Sequence, residues 1–435
     1  MIYAEETAKD FQLESVIFES DRINGTIDLA PSVTDLDIYE HLNKPYLTAV
    51  IGFEDSKNFI SGADVLGAEK ITINIKSVRK KAKTITKTFY IDVIKLSEKM
   101  NDNNQYVILH LIEDIGYISS LQNVNRPYSN TCTQIITKIA KNYLGKEIFS
   151  TETDKQSIKV IIPNLRPLEA IKWISNRATT SSGYPFYTYS TLVGNKLIFA
   201  DLGSLLEQNV INAEIPYRFN TGSLQTDNRD VHRRIIRGYT QNDTDNLLSI
   251  IRKGLIGSNY QYIDTLKNNK NKFHFDVAKD LLKPAIESNV IKSNQPNPMY
   301  SPRYKYDEQP FNEHTSRSIT RVGGSSAFDT LKSYNECDSK AEYKLNVISD
   351  AMFELLKKAP MQVDLHGIDF IDGDVNTTVG QNIRLEFLSS LPESKEISID
   401  SKKSGDYLIF ASQYMFKKEG CDVRLTCLKL GNLPL

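Results

Sequence analysis

The chain carries little of what metal-binding, disulfide-bonded or membrane proteins need. Among 435 residues there are four cysteines, six histidines and one tryptophan, and 53 basic against 54 acidic residues give 53 − 54 = −1. No stretch approaches the about 20 apolar residues that span a bilayer. The first residues lack the basic and apolar regions of a signal peptide. We therefore expect a soluble protein made in a cytoplasm, and the near-neutral charge removes the simplest argument for a nucleic-acid binder.

The cysteines and histidines do not form a recognisable site. None of Cys132, Cys337, Cys421 and Cys427 has metal-ligand spacing such as C-x-x-C. Cys421 and Cys427 lie in one predicted strand, about 20 Å apart at 3.3 Å per residue, which exceeds the roughly 7 Å limit for a disulfide. No histidine pair has the i, i+4 spacing of a helical zinc site. We predict free thiols, no metal and no cofactor.

Two short motifs fall short of catalytic or nucleotide-binding signatures. Gly62 and Gly67 have the P-loop spacing, but Ala68 and Glu69 follow where lysine and serine or threonine are required. The acidic cluster Asp369, Asp372 and Asp374 favours a turn between strands, since an EF-hand loop would need a closing glutamate. We predict that the protein is not an enzyme. A hydrolase using paired carboxylates of this cluster is the enzyme alternative.

The N-terminal region is predicted to be β-structure. The apolar share of 40% and the charged share of 25% are ordinary for a globular protein, and the length predicts two to four domains. Residues 47–53, 71–75, 86–94 and 106–112 are apolar or alternating runs typical of strands. Polar turns separate them. We assign residues 1–124 to a first small β-barrel domain.

The next region mixes helices with a hairpin. Thr131 begins a possible capping box and Gly145 ends the helical pattern that follows it. Pro167 occupies the preferred first position of a second helix. A hairpin is predicted from residues 184–189 and 196–200. These patterns assign residues 125–204 to an α+β domain.

The remaining chain returns to β-structure after a polar stretch. Residues 241–340 are rich in Asn, Lys, Ser and Pro and are predicted to be an insertion subdomain that is partly loop, with exposed loops at 268–272 and 293–298 and a helix around 276–285. An amphipathic helix is predicted over 341–359, with strands at 362–365, 382–388, 407–411 and 423–430. Residues 205–240 and 341–435 are assigned to a second β-barrel domain. The predicted fold class is α+β and β-rich: two small, tube-like β-barrel domains, an α/β domain and an insertion subdomain.

A weak internal echo links the two β-regions. Gly67 precedes the alternating run 71–75, and Gly380 precedes the run 383–387, with glycine-to-strand spacings that differ by one residue. Each region also closes on a long alternating strand. The pattern favours two similar halves.

Four segments, taken in order, resemble the central hub proteins of contractile-tailed, T-even-like bacteriophage baseplates. They are a strand, proline and short helix at 160–178, a hairpin at 183–189, the run 378–385, and a strand at 403–411 that contains Ser404-Gly405-Asp406-Tyr407-Leu408. The order is more distantly similar to the hub part of type VI secretion spike proteins. Residues 241–340 match no part of this pattern.

The resemblance implies a structural role in a virion. Hub proteins of this kind carry two similar barrels per chain, so a homotrimer presents six barrels that adapt a sixfold tail tube to a threefold central spike. The implied partners are copies of the chain itself, the spike, tube or tube-initiator proteins and other baseplate proteins, with DNA only passing through the channel. The implied location is the tail baseplate, assembled in the host cytoplasm, with any cell-wall hydrolase on a separate spike chain. A receptor-binding or adhesin module at the tail tip is the alternative.

We predict no catalytic, cofactor-binding or metal-binding residue. The residues expected to determine the fold or an interface are Gly67, Pro167, Trp173, Gly380, Gly405 and Tyr407. Trp173 lies off the apolar stripe of its helix. It is therefore expected either to pack against the following hairpin or to contact another chain.

Overall fold

The structure is a computed structural model of the chain. It describes residues 11–22, 25–56, 59–62, 64–67, 69–78, 83–99, 104–151, 157–219, 233–241, 247–264, 269–291, 305–323, 340–357, 360–371, 376–389, 398–400, 403–418 and 420–429.

Strands dominate the described residues. In chain order they are β1 (Phe11–Glu19), β2 (Thr26–Asp28), β3 (Val33–His41), β4 (Thr48–Asp55), β5 (Lys70–Ser77), β6 (Ile85–Lys99), β7 (Gln105–Glu113), β8 (Pro127–Thr131), β9 (Ile148–Ser150), β10 (Ser157–Ile161), β11 (Phe186–Tyr189), β12 (Leu197–Asp201), β13 (Tyr217–Phe219), β14 (Gly238–Gln241), β15 (Ser258–Asp264), β16 (Asn269–Phe275), β17 (Lys305–Tyr306), β18 (Gln309–Pro310), β19 (Arg317–Gly323), β20 (Met361–His366), β21 (Asn382–Ser389), β22 (Ser398–Ile399), β23 (Gly405–Lys417) and β24 (Gly420–Leu428).

The helices are fewer and mostly short. They are α1 (Phe59–Gly62), α2 (Asp114–Ser120), α3 (Cys132–Ile139), α4 (Pro167–Ser175), α5 (Leu202–Glu207), α6 (Leu247–Lys253), α7 (Lys283–Glu287) and α8 (Lys340–Leu356). The predicted α+β, β-rich class is confirmed. None of the described helices is long and apolar enough to cross a membrane.

One sheet runs through most of the molecule. Its strand order is β14-β20-β24-β23-β3-β4-β7-β6-β5-β1-β2, and β21 joins it through β23 and carries β13 and β22. We call β1–β7 the first half-sheet, and β13, β14 and β20–β24 the second half-sheet. The two meet where β23 pairs antiparallel with β3, from Ala411 opposite His41 to Lys417 opposite Asp35. We call this pairing the seam.

The two half-sheets share one strand order. In the first, β1-β5-β6-β7-β4-β3 are neighbours, and in the second the order is β13-β21-β23-β24-β20-β14. If the six strands of each half are ranked by chain position, leaving aside the short β2 and β22, both orders are 1-4-5-6-3-2. The first and fourth strands pair antiparallel in the first half and parallel in the second. The echo seen in the sequence falls at equivalent places, because Gly67 precedes β5 and Gly380 precedes β21.

The long fifth-ranked strands also bend at equivalent places. The register of β6 against β7 shifts between Ile91 and Val93 and again between Ile94 and Leu96, whereas that of β23 against β24 shifts once, between Ile409 and Ala411. Such bulges bend a strand and turn its later residues in a new direction. In both halves the first shift comes just after the strand leaves its fourth-ranked neighbour, β5 or β21, whose pairing ends at Tyr90 or Leu408. The first part of each long strand therefore pairs with the fourth-ranked strand of its own half-sheet. The second part continues past the end of that fourth-ranked strand.

A separate hydrophobic core, which we call the second core, is formed by residues between Ile115 and Phe199, which lie between the two half-sheets in the chain. α3 begins as predicted, since the Thr131 hydroxyl accepts a hydrogen bond from the Gln134 amide at 3.3 Å, and Gly145 follows its π-helical extension with φ of +63°. Pro167 is the first residue of α4. β11 and β12 form the predicted hairpin.

The insertion is more regular than its composition indicates. β15 lies between β16, its antiparallel neighbour, and β19, its parallel neighbour. The predicted loop at 268–272 is wrong for residues 269–272, which belong to β16. The strand is held because Phe273 stacks on Tyr260 at 5.4 Å. Residue 268 and the loop predicted at 293–298 lie outside the described residues.

Candidate assembly surface

The seam buries side chains from both half-sheets. Leu36 and Ile38 of β3, and Tyr414 and Phe416 of β23, face the same core and are almost fully buried. Tyr414 and Phe416 stack with ring centroids 6.2 Å apart. Because apolar burial is worth about 25 cal/mol per Å², this face holds the halves together.

Glu40 is the one inward-facing carboxylate among the paired residues of the seam. Its Oε2 accepts hydrogen bonds from the hydroxyls of Thr378 at 2.6 Å and Ser412 at 2.9 Å. Its Oε1 accepts from the backbone amide of Leu192. The Tyr414 hydroxyl lies 2.8 Å from the Thr378 hydroxyl and completes the group. We call these five residues the Glu40 cluster. It joins β3, β23, the segment before β21 and the loop between β11 and β12.

Burial dominates the electrostatics of this cluster. Removal from water raises the pKa of Glu40, while the hydrogen bonds from Thr378, Leu192 and Ser412 oppose that rise. The positive charge of Lys87 also lowers the pKa of Glu40, as the last and smallest of these effects. That ammonium lies 3.5 Å from Glu113 and donates to the Gly194 carbonyl at 2.8 Å. Glu40 is thus held by neutral donors, whereas Glu113 has an ion-pair partner.

The β11–β12 loop is anchored at two further points. The Ser190 hydroxyl donates to the Pro45 carbonyl at 2.8 Å. Lys146 donates to Asn195 at 2.6 Å. Leu192 itself is buried. The loop is therefore fixed to the first half-sheet, through Glu40 of β3 and through Pro45 between β3 and β4.

The opposite face of the seam is an open, polar groove of about 520 Å³. Tyr39, His41, His110, Gln413 and Arg424 are among its lining residues. Burial lowers the pKa of His41 to about 4, so that imidazole is neutral near pH 7. Arg424 on this face contacts Asp364 through two hydrogen bonds of 2.7 and 3.2 Å.

At the two ends of the row that contains the seam, no described strand covers part of the outer edge. The row runs β6-β7-β4-β3-β23-β24-β20-β14. β5 pairs with β6 only up to Tyr90, so no described strand pairs with the outer edge of residues 92–98. β14 pairs with β20 on one side, and no described strand pairs with residues 238–241 on the other. The exposed fractions of Val93, Ile94 and Leu96 are 50%, 36% and 37%.

The predicted glycines occupy strained positions. Gly67 has φ of +104° and donates its amide to Glu69 at 2.8 Å. Gly380 has φ of +84°, and a Cβ there would collide with the Tyr189 hydroxyl. Gly405, with φ of +140°, begins β23. A residue with a side chain would be strained at each of these positions.

The other predicted residues are spread over both cores. Pro167 is buried at the start of α4. Trp173 packs half-buried against the second core, with the Arg177 guanidinium 3.6 Å above its ring. Tyr407 is buried and its hydroxyl donates to the Lys403 carbonyl; burial raises its pKa far above the ordinary value. The structure does not bring the six residues together, and an interface role for any of them stays a prediction.

The acidic cluster is only partly within the described residues. Asp369 accepts a hydrogen bond from the Tyr217 hydroxyl at 3.0 Å and lies 3.7 Å from Arg234. Asp372 and Asp374 lie outside the described residues, as does Cys337. In the part of the chain that can be described, no group of three or more metal-ligating side chains comes together.

Sequence reasoning missed Glu40. The run Leu36-Asp37-Ile38-Tyr39-Glu40 places it at the third inward position of an alternating strand. A carboxylate continuing a buried apolar series at period two was the available signal.

Comparison with known proteins identifies the fold. No protein-family model and no curated protein matches the sequence. A tail protein from Neisseria meningitidis is similar in structure, with TM-score 0.50, 12% identity, and coverage of 95% of this chain and 96% of that chain. The 43 kDa tail protein of prophage MuSo2 from Shewanella oneidensis gives TM-score 0.51, 9% identity, and coverage of 97% and 100%.

A weaker likeness, with TM-score 0.44, 11% identity and coverage of 96% and 79%, is to an E. coli component of the type VI secretion system. The two neighbours with TM-scores of 0.50 and 0.51 are tail proteins. The resemblance seen in the four sequence segments is confirmed at the level of the fold.

Proposed function

We propose that this chain is the structural hub of a phage tail baseplate. In this proposal it forms a homotrimeric ring that adapts a sixfold tail tube to a threefold central spike. The observation that carries the proposal is the repeated 1-4-5-6-3-2 strand order, joined in one chain by the seam. Two equivalent units per chain, taken three times, make six equivalent units around a ring.

The proposed domains follow the repeat. Residues 1–124 form one tube-like barrel, 125–204 an α+β domain, 205–240 with 341–435 the second barrel, and 241–340 an insertion. Curling of the second half-sheet supports this division. The backbone of Arg218 in β13 makes two hydrogen bonds to the segment that leads into β14. Its amide donates to the Arg234 carbonyl, and its carbonyl accepts from the Ile236 amide, both at 3.0 Å. The strand at one end of the six-strand order thereby meets the chain entering the other end.

The proposed channel wall is the groove face of the seam row. Arg424 is paired there with Asp364, and Asp37 accepts a hydrogen bond from the Gln413 amide at 3.1 Å. A wall of balanced charge would let DNA slide past, whereas a basic wall would hold its phosphates. The proposed partners are the spike, tube or tube-initiator proteins and other baseplate proteins, within a virion assembled in the host cytoplasm.

The resemblance and the tail-protein neighbours support a structural role and not an enzymatic one. The test is the solution mass by multi-angle light scattering, over a range of concentrations, with and without co-expressed tail neighbours. We expect 3 × 49.4 = 148.2 kDa. A stable dimer would contradict the ring, because six equivalent units need three chains.

A further inference from the structure

Three lysines from separate elements act on the imidazole of His41, which lies at the end of the seam. Burial lowers the pKa of this imidazole, and the positive charges of Lys44, Lys357 and Lys172 lower it further. Lys44 lies in the turn after β3, Lys172 in the last turn of α4, and Lys357 directly after α8. Because like charges repel one another, such a group is stabilised by an anion bound among them.

A row of rings connects the end of α8 to the end of β3. The His41 ring lies edge-on to Phe410, with centroids 4.7 Å apart, and the Phe410 centroid is 6.4 Å from that of Tyr187. Tyr187 in turn stacks with Phe353 at 6.2 Å. The Lys357 ammonium lies 3.6 Å from the centre of the Phe353 ring. Packing therefore fixes the position of this lysine relative to the imidazole.

The helix that carries Lys172 is attached to the strand at the middle of this row. The Ser175 hydroxyl in α4 lies 3.1 Å from the Thr188 hydroxyl in β11, next to the tyrosine of the row. Lys172 is three residues before Ser175 and is exposed, and residues three apart are neighbours on a helix surface. The turn after β3 is attached to the same strand, since Ser190 donates to the Pro45 carbonyl at 2.8 Å.

His41 adds a neutral hydrogen-bond donor to the three ammonium groups. Its Nδ1 accepts a hydrogen bond from the Asn43 amide at 3.0 Å, so the proton of the neutral ring is on Nε2. No described group accepts a hydrogen bond from that Nε2–H. His41 and Lys44 both line the open groove of about 520 Å³. A donor and an ammonium group therefore border space that a ligand can enter.

Described carboxylates leave this positive charge largely unpaired. Neither Lys44 nor Lys172 forms an ion pair with a carboxylate in the described part of the chain. The carboxylate of Glu354 acts on Lys357, but it is bound by Lys253 at 3.1 Å. Three lysines thus converge on one imidazole while the nearby acid is already engaged.

The composition of the α+β domain favours an anionic ligand as well. Residues 125–204 contain ten basic and five acidic residues, 10 − 5 = +5, whereas the whole chain carries −1. A phosphate monoester places about 1.5 to 2 negative charges and three acceptor oxygens at one point. A carboxylate or a DNA phosphodiester carries a single charge. Donors that converge on one point therefore favour the compact phosphate.

We propose that Lys44, Lys172 and Lys357, together with the Nε2–H of His41, bind a phosphate group, either free or as a monoester. The ammonium groups neutralise its charge, and the imidazole donates a hydrogen bond to one oxygen. The site is independent of the proposed function, because it is formed within one chain and needs no ring.

The test is phosphate binding to the full chain, followed by NMR of its histidines at pH 7.5 and constant ionic strength. Inorganic phosphate and phenyl phosphate are the two probes, and they distinguish a free phosphate from a monoester. Either should shift the His41 signal, which is assigned by its loss in His41→Gln. His366, at the end of β20 and three strands away in the sheet, should not respond.

Matched lysine variants show whether the binding takes place at this site. Lys172→Gln and Lys357→Gln should each raise the dissociation constant for phosphate at least about fivefold, because each removes an ammonium group close to the anion. Lys141→Gln changes an exposed lysine in the helical extension that follows α3. Its charge does not act on His41, so the constant should change less than about twofold.

The outcomes decide both the site and its ligand. Weaker binding in Lys172→Gln and Lys357→Gln, with the control unchanged, supports the proposal. No shift of the His41 signal at about 10 mM phosphate, or equal weakening by all three substitutions, overturns it. Displacement of phosphate by polyglutamate or by duplex DNA at a lower concentration of charge also overturns it, because the ligand would then be an acidic polypeptide or a phosphodiester.

Discussion

The two half-sheets have the same strand order but meet different surroundings. Beyond its bulge, β23 is covered by β3, and its inward side chains, Ser412, Tyr414 and Phe416, are buried. The equivalent stretch of β6 has no such neighbour among the described strands, and Ser97 stands where Tyr414 stands in the other half. The outer faces differ too, since Ile108 of β7 corresponds to Arg424 of β24. The comparison shows that the same stretch of strand is buried where the chain supplies a neighbouring strand, as for β23, and exposed where no described strand does so, as for β6.

The largest expected effect is at the buried member of this pair. Tyr414→Ala should lower the free energy of unfolding by about 3–5 kcal/mol, the range for large-to-small core changes, because it empties the seam and removes a hydroxyl from the Glu40 cluster. Ser97→Ala, at the equivalent exposed position, should change it by less than about 0.5 kcal/mol in the isolated chain. Chemical unfolding of both variants tests the contrast. Similar losses would mean that the two stretches are not differently covered.

Substitutions at the two equivalent glycines should also cost more stability in the second half-sheet than in the first, but the difference should be smaller than for Tyr414 and Ser97. Gly380→Ala and Gly67→Ala each impose a left-handed backbone on a residue with a Cβ, costing about 1–2 kcal/mol. Gly380→Ala should cost more, because its Cβ would meet the Tyr189 hydroxyl, while that of Gly67→Ala would lie 3.4 Å from the nearest atom, the Ile91 carbonyl oxygen. Thermal midpoints measured side by side decide the order. A reversed order would contradict the close packing assigned to Gly380.

Several elements of the two half-sheets could be predicted from the sequence, but the seam between β3 and β23 could not. The apolar runs of β4, β5 and β7, the Thr131 cap and Pro167 are local signals, and each marks the predicted element. β1 and β3 were not singled out as strands. In β3 the buried residues alternate with Asp35 and Asp37, and its partner β23 lies more than 360 residues further along the chain. The alternation in β3 indicates a strand, but it does not identify a partner so far along the chain.

The pH dependence should distinguish Glu40 from other carboxylates. Its pKa is raised in the folded chain above the 4.5 of an ordinary glutamate, so folding favours the protonated form. The stabilisation is complete below about pH 4.5 and is lost as pH rises through the folded pKa. Relative to Glu40→Gln, the wild-type thermal midpoint should therefore fall as the pH is raised. Glu147→Gln, a change at a fully exposed ion pair with Lys196, is the control and should run parallel to wild type above pH 5.

The smallest effect is expected on the outer face. Arg424→Gln removes a two-bond ion pair with Asp364, but both side chains are well exposed, so the loss should be about 0.5–1 kcal/mol. It should shrink further in 1 M salt, where screening is strong. A loss above about 2 kcal/mol would show that this face is covered in the isolated chain.

The central claim is that the two half-sheets are equivalent units of one ring. The most direct measurement is electron microscopy of the full chain viewed along its assembly axis. We predict a ring with a central hole, three repeats of the whole chain and six evenly spaced lobes around the hole. A closed particle without a hole, or a ring whose lobes fall into three widely separated pairs, would contradict it.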